Sequence, residues 1–212
     1  MIRSTGNVFV LSAPSGTGKS TLAKRLVREL PGLMFSTSFT TRMPREGEVD
    51  GQDYFFVDDA TFDRMVAEGG FAEWVHVYGN RYGTSKAWIQ EKVDAGQDIL
   101  LDIETIGAQN IHQAIPEAIM IFLLPPSARE LSNRLRGRGK DPEEQITERL
   151  RHARHEMEQY AHYDYLVVND DLEQAYRMME SVILAARCGL LRMKGAAEMI
   201  LGTFEAKGSG TP

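Results

Sequence analysis

The chain of 212 residues has a single cysteine, Cys188, so it lacks the second thiol that an internal disulfide or a cysteine-based zinc site would need. Such scarcity fits a reducing compartment, and we expect a cytoplasmic location. Long apolar runs are also missing. None approaches the roughly 18 residues of a membrane span, and the first, residues 8–11, is too short for a signal peptide. The sequence therefore predicts no membrane partner.

An excess of positive charge is missing as well. The 24 lysines and arginines are outnumbered by 30 acidic residues, which gives a net charge of −6 at pH 7. This balance predicts no nucleic-acid partner. The remaining composition, 42% hydrophobic and 25% charged, is typical of a soluble globular protein. The length is sufficient for one core with inserted subdomains.

Short apolar runs alternate along the chain with stretches of helical period, which predicts an α/β fold with a mainly parallel sheet. The runs are rich in β-branched residues and leucine, as in strands that helices cover on both faces. They lie at residues 8–12, 99–103, 119–124 and 165–168. Helices are predicted at 20–30, 106–114, 128–136 and 172–187, the last with Asp171 as its N-cap.

Two segments interrupt this alternation. Residues 37–96 combine a polar stretch with strand patterns at 54–57 and 71–77 and helical patterns near 62–68 and 86–95, which predicts a small inserted α+β lobe. Residues 129–154 hold seven arginines and one lysine against five acids, a local charge of +3. Gly137 and Gly139 interrupt its helical pattern, and Asp141 as N-cap with Pro142 at the first helical position restarts it. We predict a mobile lid here, with the core in residues 1–36, 97–128 and 155–212.

The residues between the first predicted strand and helix match a phosphate-binding loop. Its glycines let successive backbone N–H groups point at an anion, and the following helix adds its positive N-terminus. Ala13 replaces the usual first glycine, so its backbone must be compatible with a side chain. The alternative is a turn that only connects strand to helix. In the first interpretation the loop binds ATP through Ala13, Pro14, Ser15, Gly16, Thr17, Gly18, Lys19, Ser20 and Thr21.

Together with a second motif, Thr-Thr-Arg-Met-Pro-Arg-Glu-Gly-Glu-Val-Asp-Gly-Gln-Asp-Tyr at residues 40–54, the chain resembles the guanylate kinases. Further matching motifs occur in order at 71–74, 79–84, 101–104, 134–139 and 168–171, so the resemblance covers roughly residues 7–187. It implies a P-loop nucleoside monophosphate kinase fold with a core, a GMP-binding lobe at 37–96 and a lid. It also implies the reaction of ATP with GMP to give ADP and GDP, with Mg²⁺ as cofactor.

The resemblance also implies which residues bind GMP. Arginine forks suit a phosphate, and a carboxylate with hydroxyl groups complements the hydrogen-bond donors of guanine. The implied phosphate ligands are Arg42, Arg45, Tyr54 and Tyr82; the implied guanine ligands are Ser38, Glu73, Thr84 and Glu104. Glu104 stands where aspartate is usual, and Thr84 where serine is frequent. The alternatives are that the arginines are solvated loop charges paired with Glu46 or Glu48, that the tyrosines belong to the edge of the core, and that Glu73 is a solvated strand residue.

Transfer of a phosphoryl group to another phosphate needs alignment and charge neutralisation more than a strong base. The resemblance gives the catalytic roles to Lys19, Arg42, Arg138 and Arg149, and adds Arg134 and Asn169 to the ATP site. Mg²⁺ would lie near Ser20 and, through water, near Asp102, whose position at the end of a buried strand requires a partner. Two alternatives stay open: a catalytically inactive guanylate-kinase-like scaffold, and a kinase of another phosphorylated acceptor. A homo-oligomer formed through residues 189–205 is also open.

Overall fold

A parallel five-stranded sheet forms the core, as predicted. The computed structural model describes residues 5–77, 79–137 and 142–205. The core strands are β1 (Val8–Ser12), β2 (Leu33–Phe35), β7 (Asp98–Asp102), β8 (Ile119–Leu124) and β9 (Tyr165–Val168). They lie in the order β2-β7-β1-β8-β9, and each neighbouring pair is parallel. The carboxyl ends of β1, which leads into the phosphate loop, and of β7, whose last residue is Asp102, therefore lie side by side.

Helices cover both faces of the inner strands because these strands are apolar on both sides. The same expectation is wrong for the edge strand β9, where only Val167 is buried. On one face, α1 (Lys19–Glu29) and α7 (Leu172–Arg187) pack against Phe9 and Leu11. On the other, α3 (Lys86–Asp94) and α4 (Thr105–Ala114) pack against Val8 and Val10. The C-terminal helix α8 (Leu190–Glu205) follows α7 and contacts it. The predicted cap of α7 is confirmed, since the Asp171 side chain accepts a hydrogen bond from the Gln174 N–H.

A second sheet forms the inserted lobe. Its strands are β3 (Phe39–Thr40), β4 (Phe55–Phe56), β5 (Phe71–Val77) and β6 (Asn80–Ser85), in the order β4-β3-β6-β5, and α2 (Asp59–Ala67) belongs to the same segment. The sequence did not predict β2, β3 or β6. The first two have three and two residues, too few to show a period, and the Asn-Arg-Tyr-Gly-Thr-Ser sequence of β6 lacks apolar alternation.

The predicted lid is a helical hairpin made of α5 (Ala128–Gly137) and α6 (Glu143–Met157), which a 3-10 turn at Glu158–His162 joins to β9. It has a small apolar cluster of its own around Leu135 and Ile146. One detail of the prediction is wrong. Pro142 is the N-cap of α6 and not its first helical residue, because its ψ of 154° is extended. Arg138, Gly139 and Asp141 lie outside the described residues. Among the helices that are described, none has the length and apolar character needed to cross a membrane.

Candidate active site

The phosphate-loop sequence forms a tight loop between β1 and α1. Gly16 and Gly18 have φ values of +93° and +101°, a region that side-chain-bearing residues avoid, so both positions require glycine. The Thr17 N–H donates to the Pro14 carbonyl at 3.1 Å and closes the turn. The loop borders a cavity of about 240 Å³, which Lys19, Ser20, Glu104 and Glu156 also line. We call it the phosphate-loop cavity.

Lys19 is held at the edge of this cavity by β7. Its Nζ lies 2.5 Å from Oδ1 of Asp102 and donates to the Ile103 carbonyl at 3.1 Å. The ion pair provides the partner that an acid at the end of a buried strand requires. It also holds the Lys19 ammonium group beside the cavity that the loop residues line.

A second cavity, of about 350 Å³, adjoins the first at Ser20. Asp102, Ser38 and Tyr54 are also among its lining residues. We call it the acceptor cavity. Ser20 and Asp102 offer a hydroxyl and a carboxylate oxygen, which suits Mg²⁺, an ion that takes few protein ligands and completes its shell with water and phosphate oxygens. In the described ranges, no group of three or more His, Cys, Asp or Glu side chains could hold a metal ion without such help.

The predicted phosphate ligands gather in the lobe next to Tyr54. Arg42 donates both terminal nitrogens to Glu48, at 2.8 and 2.9 Å, and its side chain is only 13% exposed. Glu48 also accepts the Arg45 N–H at 2.7 Å. The ion pair lowers the pKa of Glu48 and raises the pKa of Arg42. A hydrogen bond with the neighbouring Tyr82 raises the pKa of Arg42 further. The Arg42–Glu48 pair that the alternative interpretation expects is therefore present, but it is partly buried and not a pair of solvated loop charges.

Arg42 also makes a cation–π contact in the lobe. The Arg42 guanidinium lies 5.2 Å from the Tyr54 ring centre, and the Tyr54 and Tyr82 rings are 6.0 Å apart. Arg42, Tyr54 and Tyr82 therefore form one corner of the lobe, near the mouth of the acceptor cavity.

Glu73 is buried, so its interpretation as a solvated strand residue is wrong. It pairs with Thr84 across the antiparallel strands β5 and β6, and the Thr84 hydroxyl donates to its Oε1 at 2.8 Å. Only 9% of Glu73 is exposed, and burial raises the pKa of its carboxyl, an effect that the Thr84 hydrogen bond partly offsets. Its Oε2 faces Gly107 of α4. A buried carboxylate with a neighbouring hydroxyl is suited to recognising N–H donors.

Glu104 lines a different cavity from Glu73. It is exposed, at the N-cap of α4, and lines the phosphate-loop cavity. The cavity beside Glu73 is lined by Trp74 and Asn110 among others, and Glu104 does not line it.

Arg134 of α5 lines a further cavity, of about 440 Å³, which also borders Gly16 and Gly18 of the loop. Arg134 donates through Nη1 to the Asn169 carbonyl at 3.0 Å and through Nε to Glu130 at 3.1 Å. Asn169 lines the same cavity. Arg149 is half-buried on α6, and Arg138 lies outside the described residues.

Comparison with known proteins decides the family. The family model described as guanylate kinase matches residues 5–186. The chain belongs to the guanylate kinase family. It is 48% identical to a guanylate kinase of Syntrophotalea carbinolica, over 92% of this chain and 93% of that protein. It is 47% identical to one of Escherichia coli K12, over 95% and 98%. The crystal structure of guanylate kinase from Anaplasma phagocytophilum has a TM-score of 0.66 and 32% identity, and covers 91% of this chain and 92% of that one.

One residue of this guanylate kinase site was missed by the sequence analysis. Glu156, in the last turn of α6, lines the phosphate-loop cavity. Burial raises the pKa of its carboxyl and so does the charge of Glu104, while Lys19 and the Ser15 N–H act in the opposite direction. Its position seven residues after Arg149 was the available signal, because that spacing places both on one face of a helix.

Proposed function

We propose that this guanylate kinase transfers the γ-phosphoryl group of ATP to GMP, giving ADP and GDP, as a step of purine nucleotide metabolism. The observation that carries the proposal is the junction of two cavities at Ser20. One is lined by the phosphate loop, and the other reaches Ser38 and Tyr54 of the lobe. A donor phosphate and an acceptor phosphate placed in these cavities meet beside Lys19 and Asp102.

The reaction then depends on alignment and charge. The phosphate oxygens of GMP are already largely anionic near neutral pH, so no strong general base is required. Lys19 lies where it would neutralise charge on the moving group, and Arg42, Arg138 and Arg149 would add to this from the lobe and the lid. Ser20 and, through water, Asp102 would hold Mg²⁺, which when bound neutralises phosphate charge.

The acceptor would be bound by the lobe. Arg42, Arg45, Tyr54 and Tyr82 would bind its phosphate, and the buried Glu73 with Thr84 and Ser38 would recognise guanine. We retain Glu104 as a GMP ligand, although it lines the phosphate-loop cavity and not the cavity beside Glu73. Arg134 and Asn169, together with the loop, would bind ATP.

Neither alternative function is favoured. A scaffold that has lost catalysis would not need the loop, whereas the positive-φ glycines and the Lys19–Asp102 pair are in place. A kinase of another acceptor would not need the buried Glu73–Thr84 pair. We propose ATP, GMP and Mg²⁺ as the ligands, a cytoplasmic location, and neither a membrane nor a nucleic acid as partner.

Removing the Lys19 charge tests the proposal. Lys19→Met should reduce kcat by on the order of a hundredfold or more, because it removes a positive charge from the transferring group. The measurement is ADP release with ATP and a panel of nucleoside monophosphates, in which GMP should be the preferred acceptor of the wild type.

Lys194→Met is the matched control, because Lys194 is exposed on α8 and pairs only loosely with Glu198 at 3.8 Å. It should keep wild-type turnover. Near-normal turnover of a folded Lys19→Met variant would disprove the role of the loop.

A homo-oligomer is a further expectation for this chain. Helix α8 exposes Leu190, Leu191 and Phe204, at 81%, 77% and 73%, and apolar faces of this kind are usual at subunit contacts. Light scattering coupled to gel filtration should give a mass above that of one chain, and Phe204→Glu should lower it. A monomer at tens of micromolar would exclude the expectation.

A further inference from the structure

Asn169 connects the end of β9 to the phosphate loop. It is only 4% exposed, and its Nδ2 donates to the carbonyl oxygen of Thr17 at 2.7 Å. The two residues are 152 positions apart in the chain, so nothing but the fold brings them together.

Thr17 is followed by Gly18, and the two share one peptide unit. A trans peptide is planar, and its C=O and N–H point in opposite directions. A hydrogen bond that holds the Thr17 carbonyl toward Asn169 therefore turns the Gly18 N–H away from Asn169. Gly18 lines the phosphate-loop cavity.

The fit between Asn169 and the loop is close. A Cβ atom at Gly18 would lie 2.6 Å from Nδ2 of Asn169, nearer than real atoms approach. Gly18 is thus required twice, by its φ of +101° and by the amide packed against it.

The other end of Asn169 reaches the lid. Its backbone carbonyl accepts the hydrogen bond from Arg134 on α5. The same helix places Leu131 and Leu135 against the loop, about 3 Å from where a Cβ of Gly16 would lie. The residue therefore lies between the two elements that must cooperate on the nucleotide phosphates.

We propose that Asn169 is a positioning residue of the phosphate loop, which acts by holding the Thr17 peptide so that the Gly18 N–H faces the bound phosphate. This rests on the proposed role of residues 13–21 as the phosphate site. It differs from a contact with the adenine base, because its effect does not depend on the base at all.

Inorganic tripolyphosphate separates the two roles, since it carries the phosphates of ATP without the nucleoside. The experiment compares Asn169→Ala and Asn169→Asp with the wild type by calorimetric titration with ATP, tripolyphosphate and GMP, the first two with Mg²⁺. Asn133→Ala and Asn133→Asp are matched controls, because Asn133 is exposed on α5. Circular dichroism melts establish that each variant is folded.

We expect Asn169→Ala to lower the affinities for ATP and for tripolyphosphate by the same factor. The factor should be roughly tenfold, which corresponds to the loss of one buried hydrogen bond. Asn169→Asp should weaken both further, because a carboxylate oxygen would face the Thr17 carbonyl. GMP affinity should stay within about twofold of the wild type, and the Asn133 variants should bind all three ligands normally.

Several results would overturn the proposal. Weakened ATP binding with normal tripolyphosphate binding would show that Asn169 acts on the base. Normal binding of both by a folded variant would show that the hydrogen bond only stabilises the fold. If Lys19→Met also left the affinity for ATP unchanged, the assignment of residues 13–21 as the phosphate site would fail. If Lys19→Met lowered the affinity for ATP and the Asn169 variants did not, only the proposed role of Asn169 would fail.

A measurement on the unaltered protein covers the case in which no Asn169 variant folds. The side-chain amide protons of Asn169 should exchange slowly with solvent in nuclear magnetic resonance spectra, both without ligand and with a non-hydrolysable ATP analogue. Loss of this protection on binding the analogue would contradict a role in the bound state.

Discussion

At the scale of single residues, Glu73 is the clearest case of a side chain whose chemistry depends on its surroundings. The Thr84 hydroxyl satisfies one of its oxygens, and burial raises its pKa. A carboxylate that has lost water is costly unless donors compensate. Guanine offers two such donors, N1–H and N2–H₂, on one edge, whereas adenine offers an unprotonated N1 there.

We predict that Glu73 sets the choice of base. AMP would place an acceptor against the carboxylate, at a cost of a few kcal/mol, or roughly 10²-fold in kcat/KM. IMP keeps N1–H and lacks the 2-amino group, so it should fall between GMP and AMP. Glu73→Gln should lose activity mainly with GMP and narrow the difference between GMP and IMP, because the amide keeps one acceptor oxygen and presents an N–H₂ donor in place of the other.

The measurement is kcat/KM for the three nucleotides with both proteins. Glu68→Gln, an exposed acid of the same lobe, is the control and should leave the ratios unchanged. An unaltered GMP:IMP ratio in Glu73→Gln would show that guanine is recognised elsewhere.

At the scale of elements, the described helices of the predicted lid, α5 and α6, are attached to the rest of the molecule at both ends of the segment. The Arg134 bond and the leucines on Gly16 attach α5 to the loop, and its apolar cluster joins it to α6. Gln159, in the 3-10 turn after α6, bonds to Gln109 of α4 at 3.0 Å.

We predict that bound nucleotides close the lid. A bisubstrate analogue should protect residues 129–154 from trypsin, because phosphates neutralise the +3 charge of that segment. Arg138→Ala should lower kcat by on the order of a hundredfold, more than it raises the KM for GMP.

Arg151→Ala is the control, since that side chain is 71% exposed and pairs with Glu148 on its own helix. Its kinetics should be those of the wild type. Unchanged trypsin cleavage with the analogue, together with normal kcat in Arg138→Ala, would rule the lid out.

At the scale of the whole molecule, a largely buried polar network joins Asn7 and helices α7 and α8 to the sheet. Asp98, at the start of β7, accepts from the Asn7 N–H at 2.7 Å and from Arg187 of α7 at 2.7 Å. Arg192 of α8 donates to the Asn7 side chain at 2.8 Å. The network lies at the end of the sheet opposite the phosphate loop, so it supports the fold without touching the site.

We predict that Asp98→Asn destabilises the protein without affecting catalysis. It leaves the Arg187 charge facing an amide N–H₂ in a buried place, which costs about 2–3 kcal/mol of unfolding free energy. Urea denaturation should show the loss, while kcat and KM at 25 °C stay normal. Asp94→Asn, which alters an exposed pair with Gln90 on one helix, should change stability by less than about 0.5 kcal/mol. A normal unfolding free energy in Asp98→Asn, or a changed KM, would contradict this assignment.

The sequence alone determined the features that depend on local order along the chain. The four predicted core strands agree with the structure to within one residue, because each is a continuous apolar run in the sequence. The phosphate loop was found from its glycines and Lys19, since the conformation they require is local. The motif resemblance also placed Glu73 and Thr84 in one site before their register was known.

The tertiary structure decided what depends on contacts between distant segments. Packing decides three contacts of the site. Arg42 pairs with Glu48 in place of solvent, and Glu73 is buried against α4. Asn169 donates a hydrogen bond to the Thr17 carbonyl. Residue type gives a side chain its donors and acceptors, but which group satisfies them is fixed by packing, as the 152 residues between Asn169 and Thr17 show. The raised pKa of Glu73 likewise results from its burial in the folded protein. The extent of burial cannot be read from a local sequence pattern.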